Sequence, residues 1–318
     1  MDPLINNSKQ NRTLYVVLAI YLVIFVYGFL FLRQAGIGNR ILTAVWDLGH
    51  VLGFATLMVF VFKLSTSYAR LSLIMQFLLA WVSASLLGLL IEFIQSYTGR
   101  SFSLNDVLLN LIGVTIGIAF FSPGLKSINR RVAILIRTIV FISLLVIYRD
   151  AMIFAYDGYE SHQQFPVLLE LSSPFELTRW RGHHVRYSRL EFEQKKVLKA
   201  EFKPARYATL TFDHFPRDWS GYKYIEIVAY NPEDSDVKLD IRVHDLAHVE
   251  HKSEYSDRFN SNLMLKPGWN TSKILLEEIK NAPRKRQMDM RHIHQVIFFF
   301  PNLTIPRTIL FREIRLTG

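Results

Sequence analysis

Two patterns of hydrophobic and polar residues divide the chain near its middle. Up to about Tyr148, long apolar runs alternate with short polar loops, whereas from about Glu160 charged and aromatic residues are interleaved and no long apolar run recurs. Long apolar runs are typical of membrane-spanning helices, and short alternating runs are typical of half-buried strands. The pattern therefore predicts a multi-domain membrane protein, with a helical transmembrane domain over residues 1–150 and an all-β domain over residues 160–318.

About five apolar runs in the first domain are candidates for transmembrane helices. They extend over residues 13–32, 46–64, 71–94, 106–121 and 132–148. The first run exceeds the length of a signal-peptide core, and Arg33 follows it instead of a cleavage site, so we expect a retained anchor. In the fourth run, Gly113 and Gly117 have the spacing that lets membrane helices pack closely.

The positive charges beside these runs predict the orientation, because cytoplasmic loops carry an excess of lysine and arginine. A cytoplasmic N-terminus places Lys9, Arg12, Lys63, Arg70, Lys126, Arg130 and Arg131 inside, and Arg33, Arg40, Arg100 and Arg149 outside. We therefore expect a multi-pass protein of a bacterial plasma membrane, the inner membrane where there are two. Its C-terminal domain then lies outside the cytoplasm.

The formal net charge of +10 raises the question of a nucleic-acid partner, and the absence of cysteine excludes functions that need a thiol. The basic residues form no aromatic-interleaved patch and no nucleic-acid motif, so we expect no nucleic-acid partner. Without cysteine the chain has no disulfides, no cysteine-ligated zinc and no thiol nucleophile. An outer domain without disulfides fits a bacterium better than an animal cell surface.

Three of the predicted spans carry polar pairs at helical spacing near one end. The pairs are Asp47 with His50, Glu92 with Gln95, and Asp106 with Asn110. Under the predicted topology they lie near the outer membrane face together with Arg100. Ionisable groups at membrane depth are costly unless they are paired, hydrated or functional, so these seven residues form a predicted binding site in an outward-facing pocket. Glu92, His50 and Asp106 are its candidates for acid–base catalysis.

A purely structural interpretation of these residues is also open. Asp106 can cap the N-terminus of the fourth span, and His50 can hydrogen-bond to Asp47. Glu92 can form an ion pair with Arg100 that holds the mouth of the bundle together. No ligand spacing identifies a metal, and the sequence implies no particular cofactor.

The order of these polar residues resembles that of the VanZ-like family. The resemblance is carried by WDLGHVLGF at residues 46–54 and by GLLIEFIQSYTGRSFSLNDVLLNLIG at residues 88–113. Leu48 stands where the family commonly has a basic residue. The resemblance implies a bacterial cell-envelope membrane protein, in a family named for resistance to the glycopeptide antibiotic teicoplanin.

The second domain shows short β-rich runs separated by turn signals. The runs cover residues 185–192, 197–202, 208–212, 222–230, 237–243, 296–300 and 308–316. Turn sequences such as Asn231-Pro232 and Pro267-Gly268 separate alternating runs, as an antiparallel sandwich requires. Alternation from Tyr224 to Tyr230 places Ile225, Ile227 and Ala229 on one face.

Several landmarks of this domain resemble the carbohydrate-binding-module-like jelly rolls of the galactose-binding superfold. They are DWSGY at residues 218–222, the Asn231-Pro232 turn, PGWN at residues 267–270 and the closing IRL at residues 314–316. The resemblance makes Trp219, Tyr222 and Trp269 candidates for stacking on sugar rings, although core packing is the commoner use of such side chains. The histidines around His244 and His248 lie in a polar loop without a fixed ligand geometry, so we predict no metal site.

Three functions are compatible with these features. The first is an envelope protein whose jelly roll binds a surface glycan or a peptidoglycan precursor, while the helical bundle binds a lipid or a lipid-linked headgroup at its outer mouth. The alternative is a membrane-embedded acid–base enzyme acting on a lipid-linked substrate, with Glu92 or His50 as the base. A transporter has the weakest support, because the polar residues cluster near one face and transporter sites usually lie at the midplane.

Overall fold

The structure is a computed structural model that describes residues 13, 15–24, 40–97, 103–126, 128–250 and 254–318. The chain divides into two compact units, Met1–Ala151 and Met152–Gly318. The first is helical and the second is a β-sandwich.

The first unit is built from α-helices. They are α1 Tyr15–Ile24, α2 Arg40–Leu64, α3 Thr66–Ala69, α4 Leu73–Ser96, α5 Leu104–Phe121 and α6 Arg130–Ile147, and α7 Arg149–Gln164 continues into the second unit. The side chains of Ser72, Ser103 and Asn129 accept backbone N–H groups in the first turns of α4, α5 and α6. Such caps satisfy donors that the helix itself leaves unpaired.

Three described helices are long and apolar enough to cross a membrane. The qualifying segments are Asp47–Leu64, Leu73–Gln95 and Leu104–Phe121. They confirm the second, third and fourth predicted spans.

Five spans were predicted and three described helices qualify, so the first and the fifth predicted spans remain to be accounted for. Of the first, only Tyr15–Ile24 is described beyond Thr13, and the remainder lies outside the described residues. A fourth span is obtained only when Arg130–Ile147 and Arg149–Gln164 are counted as one bent span. The arginines of α6 are the reason that it does not qualify by itself. One of them, Arg137, donates from Nε to the carbonyl of Ala119 near the end of α5 at 3.1 Å.

The glycines of α5 pack against the backbone of α2. A Cβ atom at Gly117 would lie 2.4 Å from Met58 Cβ, and one at Gly113 would lie 2.6 Å from the carbonyl oxygen of Val51. These distances are too short for any side chain, so only glycine permits the approach. The close packing predicted for Gly113 and Gly117 is therefore confirmed.

The second unit is built from two antiparallel sheets. Its strands are β1 Val167–Leu169, β2 Trp180–His183, β3 Val185–Phe192, β4 Lys195–Phe202, β5 Ala205–Phe212, β6 Tyr224–Asn231, β7 Val237–Asp245, β8 Phe259–Leu265, β9 Gly268–Leu275, β10 Ile293–Leu303 and β11 Arg307–Thr317. The six-stranded sheet has the order β3-β4-β11-β6-β9, with β1 paired to β11, and the five-stranded sheet has the order β2-β5-β10-β7-β8. The predicted all-β sandwich is confirmed.

Four strands were absent from the predicted set. β1 and β2 are short, and β8 and β9 carry many polar residues, with the sequences FNSNLML and GWNTSKIL. Their polar side chains weaken the hydrophobic alternation on which a strand prediction rests. Two short helices, α8 Leu246–Glu250 and α9 Leu276–Asn281, complete the unit.

The core of the sandwich lies between its sheets. Ile225, Ile227 and Ala229 of β6 are at most 1 % exposed, which confirms the predicted inward face. A buried ion pair joins α7 to the same unit, because Arg179 donates from Nε to both carboxylate oxygens of Asp157 at 3.0 Å. Both side chains are 0 % exposed, so each charge depends on the other.

We predict that Gly117→Ala destabilises the helical unit by about 1–3 kcal/mol, because the added methyl group overpacks the contact with Met58. The matched control is Gly49→Ala, since a Cβ at Gly49 meets no described atom within 4 Å. Alanine should leave stability unchanged there or raise it by up to about 1 kcal/mol through helix propensity. Thermal unfolding of the detergent-solubilised protein, followed by tryptophan fluorescence, measures both. Equal melting temperatures for the two variants would contradict the prediction.

Candidate functional site

A buried polar cluster joins α2 to α5 in the helical unit. His50 Nδ1 lies 2.9 Å from Asn110 Oδ1, and His50 Nε2 lies 3.3 Å from Asp106 Oδ2. Gly88 of α4 leaves room for this arrangement, because a Cβ there would lie 2.7 Å from the Asn110 side-chain nitrogen. The imidazole therefore has an oxygen acceptor facing each of its nitrogens.

Ser103 connects α4 to the same cluster. Its backbone N–H donates to Glu92 Oε2 at 2.7 Å, and its hydroxyl donates to Asp106 Oδ1 at 2.8 Å. Ser103 is also the N-cap of α5, which begins at Leu104. The prediction that Asp106 caps this helix is therefore wrong, since Asp106 lies within the first turn.

The structure brings four of the predicted residues into one cluster, and Asp47 interacts electrostatically with two of them, His50 and Asp106. His50, Glu92 and Asn110 are at most 2 % exposed, and the Asp106 side chain retains 13 %. Gln95 is also buried, and the backbone carbonyl of Asp47 accepts a hydrogen bond from the Tyr148 hydroxyl at 3.2 Å. Arg100 lies outside the described residues.

The chemistry of this cluster follows from its partners. Each nitrogen of His50 faces an oxygen atom of α5, so the imidazole lies between Asn110 and Asp106. The carboxyl groups of Glu92 and Asp106 converge on Ser103 from two different helices. The cluster thus cross-links three helices, and His50, Glu92 and Asp106 remain the candidates for acid–base catalysis.

Two of the three aromatic candidates in the sandwich pack against its core. Trp219 is 0 % exposed, and its indole N–H donates to the carbonyl of Pro216 at 3.1 Å. Tyr222 packs edge-on against Phe165, with 5.4 Å between ring centroids. The Trp219 ring therefore presents no face to a ligand.

The third aromatic candidate, Trp269, lies on the outer side of β9. Its indole N–H donates to Glu193 Oε2 at 2.8 Å, and the guanidinium of Arg312 lies 5.0 Å from the ring centroid. Tyr230 packs against it at 5.2 Å. Groups from three neighbouring segments thus already contact this ring.

A groove that the sequence interpretation missed lies on the outer face of the five-stranded sheet. Its volume is about 590 Å³. It is lined by Tyr207, Thr209, Asp240, Arg242, Tyr255, Arg258, Asn260, Ser261, Asn262, Ile297, Phe299 and Pro301. Phenyl rings and hydrogen-bonding side chains share this surface.

Strand register explains how these side chains meet. Phe299 of β10 pairs with Thr209 on one side and with Asp240 on the other. Arg242 is the register partner of Asn260. The alternating pattern in β5 and β7 indicated which of their side chains face outward. Because β8 was not predicted as a strand, the sequence did not indicate that these side chains form a groove with those of β8.

The charged side chains of the groove lie close to one another and are partly buried. The Arg258 guanidinium lies 4.9 Å from the centroid of Tyr255 and donates from Nε to Asn260 Oδ1 at 3.1 Å. Burial, and then the neighbouring Arg258, lower the pKa of Arg242 to about 10. Burial also raises the pKa of the Asp240 carboxyl above its ordinary value. The groove is therefore a partly desolvated polar surface.

An ion-pair network holds the segment that carries Tyr255 and Arg258. Arg286 binds Asp257 through distances of 2.6 and 2.9 Å and Asp245 through distances of 2.5 and 2.7 Å. Hydrogen bonds from Arg286 hold the pKa of Asp257 below its ordinary value of 3.8. Burial opposes ionisation of Asp245, but the bonds from Arg286 and from two backbone N–H groups lower its pKa as well. Such bidentate pairs fix geometry as well as charge.

Three histidines lie together near the end of β7. The rings of His244 and His248 are 4.7 Å apart, and those of His244 and His294 are 5.7 Å apart. Burial lowers the pKa of His244 to about 2 and that of His294 to about 4. Among the residues that the structure describes, no group of three or more histidines or carboxylates could hold a metal ion.

Comparison with known proteins identifies the helical unit. Residues 5–127 match the VanZ/LLP1 family model, which confirms the VanZ-like resemblance. No curated protein matches the chain. The protein therefore joins a VanZ-like membrane domain to a β-sandwich.

Solved structures similar to this chain include carbohydrate-binding modules, as the sequence resemblance predicted. The family 11 module from Clostridium thermocellum, solved with a β-1,3-1,4-mixed-linked tetrasaccharide, is 12 % identical, with 48 % of this chain and 94 % of that chain covered and a TM-score of 0.39. A family 30 module of a Clostridium thermocellum cellulosomal cellulase is 13 % identical, with 48 % and 96 % covered and a TM-score of 0.36. An exo-β-agarase is 14 % identical, with 48 % and 24 % covered and a TM-score of 0.39. The likeness is one of fold.

We predict that Arg286→Met destabilises the sandwich by about 3–5 kcal/mol near neutral pH, because two carboxylates lose their shared partner. The lowered pKa values of Asp245 and Asp257 stabilise the fold above their ordinary value of 3.8, and this contribution is lost as pH falls through the lowered values. The difference in melting temperature between wild type and variant should therefore shrink below about pH 4.

The control for this prediction is Arg284→Met, which removes the same charge from an exposed side chain. Its melting temperature should follow that of the wild type across the whole pH series. A constant difference between Arg286→Met and wild type from neutral to acidic pH would contradict the proposed linkage.

Proposed function

We propose that this protein is a bacterial cell-envelope protein that binds a glycan through its β-sandwich and is anchored by its VanZ-like domain. The observation that carries the proposal is the groove on the five-stranded sheet, with its rings and hydrogen-bonding side chains. An envelope glycan or a lipid-linked peptidoglycan precursor is the expected class of ligand.

The lining of the groove suits a sugar chain. The apolar faces of sugar rings stack on aromatic side chains, and their hydroxyl groups need directional hydrogen-bond partners. Tyr207 and Tyr255 are 52 % and 72 % exposed, so their rings are accessible. Asn260 and Asn262 lie beside them on β8. Ligand sites combine apolar contact area with a few placed polar groups in this way.

The VanZ-like domain supplies the membrane attachment in this proposal. Its apolar helices contact lipid, and the cluster around His50 and Asp106 fastens their ends. A second function, acid–base catalysis on a lipid-linked substrate, is favoured by one observation: the carboxyl groups of Glu92 and Asp106 converge on Ser103. That geometry supplies proton donors and acceptors at the end of the bundle.

The proposal requires the sandwich to lie outside the cytoplasm. Since the chain has no cysteine, single cysteines report topology without background. Ser188→Cys places a thiol on an exposed position of β3, and Ser67→Cys places one on the exposed α3 turn. We expect an impermeant thiol reagent to label position 188 in intact cells, or in spheroplasts where an outer membrane is present, and to label position 67 only after lysis. The reverse pattern would exclude an envelope glycan as the ligand.

We predict that Tyr207→Ala and Tyr255→Ala each weaken glycan binding several-fold, because each removes a stacking face worth about 0.5–1.5 kcal/mol. Binding of the full-length protein in detergent micelles to an array of envelope glycans measures this. Tyr159→Ala is the control, since Tyr159 is also 63 % exposed but lies on α7. Failure of the folded wild-type protein to bind any glycan would contradict the proposed function.

A further inference from the structure

Two arginines of the groove have no acidic partner among the residues that the structure describes. Arg242 of β7 and Arg258, which precedes β8, both line it. Within the described part of the chain, neither side chain forms an ion pair with a carboxylate, whereas Arg179 and Arg286 elsewhere in the sandwich do. The Nε atom of Arg242 is buried and makes no hydrogen bond to a described residue. The guanidinium groups of the groove are thus less satisfied than those beside it.

Asp240, the acidic residue among the described lining residues, does not form an ion pair with either arginine. Asp240 lies two positions before Arg242 on the same strand face. Burial raises the pKa of the Asp240 carboxyl, and Lys238 is the positive charge that opposes this increase. If either groove arginine paired with Asp240, its charge would lower that pKa strongly. The two guanidinium groups are therefore not paired with the carboxyl group in the described lining of the groove.

The Arg258 side chain is also held in place before any ligand binds. Arg258 is fixed on one side by the Tyr255 ring and on the other by Asn260. The Arg286 network holds Asp257, the neighbour of Arg258, and so fixes the backbone at this edge of the groove. A guanidinium that is already positioned loses less conformational entropy when it binds an anion.

Two guanidinium groups close together in a partly desolvated groove repel each other and lack hydration. The low pKa of Arg242, about 10, reflects both effects. A carboxylate or a phosphate would relieve them, because its oxygens accept charge-assisted hydrogen bonds from arginine with matching planar geometry. A neutral sugar offers only hydroxyl groups, which leave the charge uncompensated.

We propose that the groove selects an anionic glycan, whose sugars or linkages carry a carboxylate or a phosphate that Arg242 and Arg258 bind. This inference rests on the proposed glycan-binding function and names the chemical class of the ligand. The tyrosine rings contact the sugar, and the two arginines supply the selectivity for charge.

The test measures binding of the full-length protein, in detergent micelles, to an acidic glycan, to the uncharged ester of that glycan and to a phosphate-bearing oligomer. The probes are oligogalacturonate, its methyl ester, and a glycerol phosphate oligomer, with affinity measured by biolayer interferometry. We expect the protein to bind at least one acidic probe, and oligogalacturonate about tenfold or more tightly than its ester if the carboxylate is the group recognised. Preference for the glycerol phosphate oligomer would instead identify phosphate. Either preference supports the proposal.

The variants separate the groove arginines from general surface charge. Arg242→Gln and Arg258→Gln should each weaken binding of the preferred acidic probe about tenfold. Arg186→Gln removes the same charge from an exposed position of β3 on the other sheet and should leave the affinity unchanged. The melting temperature of each variant shows whether it is folded. If one of the two groove variants does not fold, the other one provides the test.

Two negative results have different meanings. Equal affinity for the acid and its ester, together with unchanged binding by the folded arginine variants, would overturn the anionic selectivity and leave the glycan groove standing. Absence of binding to these probes and to every neutral and acidic glycan on an array would overturn the proposed function itself, and the anionic selectivity with it.

Discussion

A polar group buried in apolar surroundings costs free energy unless another group pairs with it, and this constraint determines how both units are fastened. In the helical unit, His50 of α2 lies between Asp106 and Asn110 of α5, so a buried polar group of one helix is paired with groups of another. In the sandwich, Arg179 is fully buried and binds Asp157 of α7. In each case, one residue that is costly by itself specifies where a second element must pack.

The same constraint explains why the groove is a candidate binding surface. The structure satisfies Arg286 with two aspartates, yet it leaves Arg242 and Arg258 close together on the outer face of the sheet without a carboxylate partner among the described residues. Structural ion pairs stabilise a fold, whereas unpaired, positioned charges beside exposed rings are typical of surfaces that bind something. The paired and unpaired arginines lie within one sheet region, where the Arg286 network supports the segment that carries Arg258.

The close approach of α5 to α2 in the helical unit depends on two glycines. Gly113 and Gly117 allow α5 to approach α2 so closely that a Cβ atom would collide with its backbone or with Met58. Lipid offers little hydrophobic driving force between helices, so close van der Waals packing and polar contacts hold them together. The polar cluster and the glycine contact therefore act on the same pair of helices, at different depths.

The sequence by itself determined the membrane spans of the central helices, the two-domain organisation and the strands with clear alternation, because long apolar runs and period-two patterns depend only on local order. It also brought His50, Glu92, Asp106 and Asn110 into one predicted cluster. Only the tertiary structure decided that Ser103 connects two of these carboxyl groups and that Trp219 is core. It also created the groove, because strands distant in sequence must pair in register before their outward side chains can share one surface.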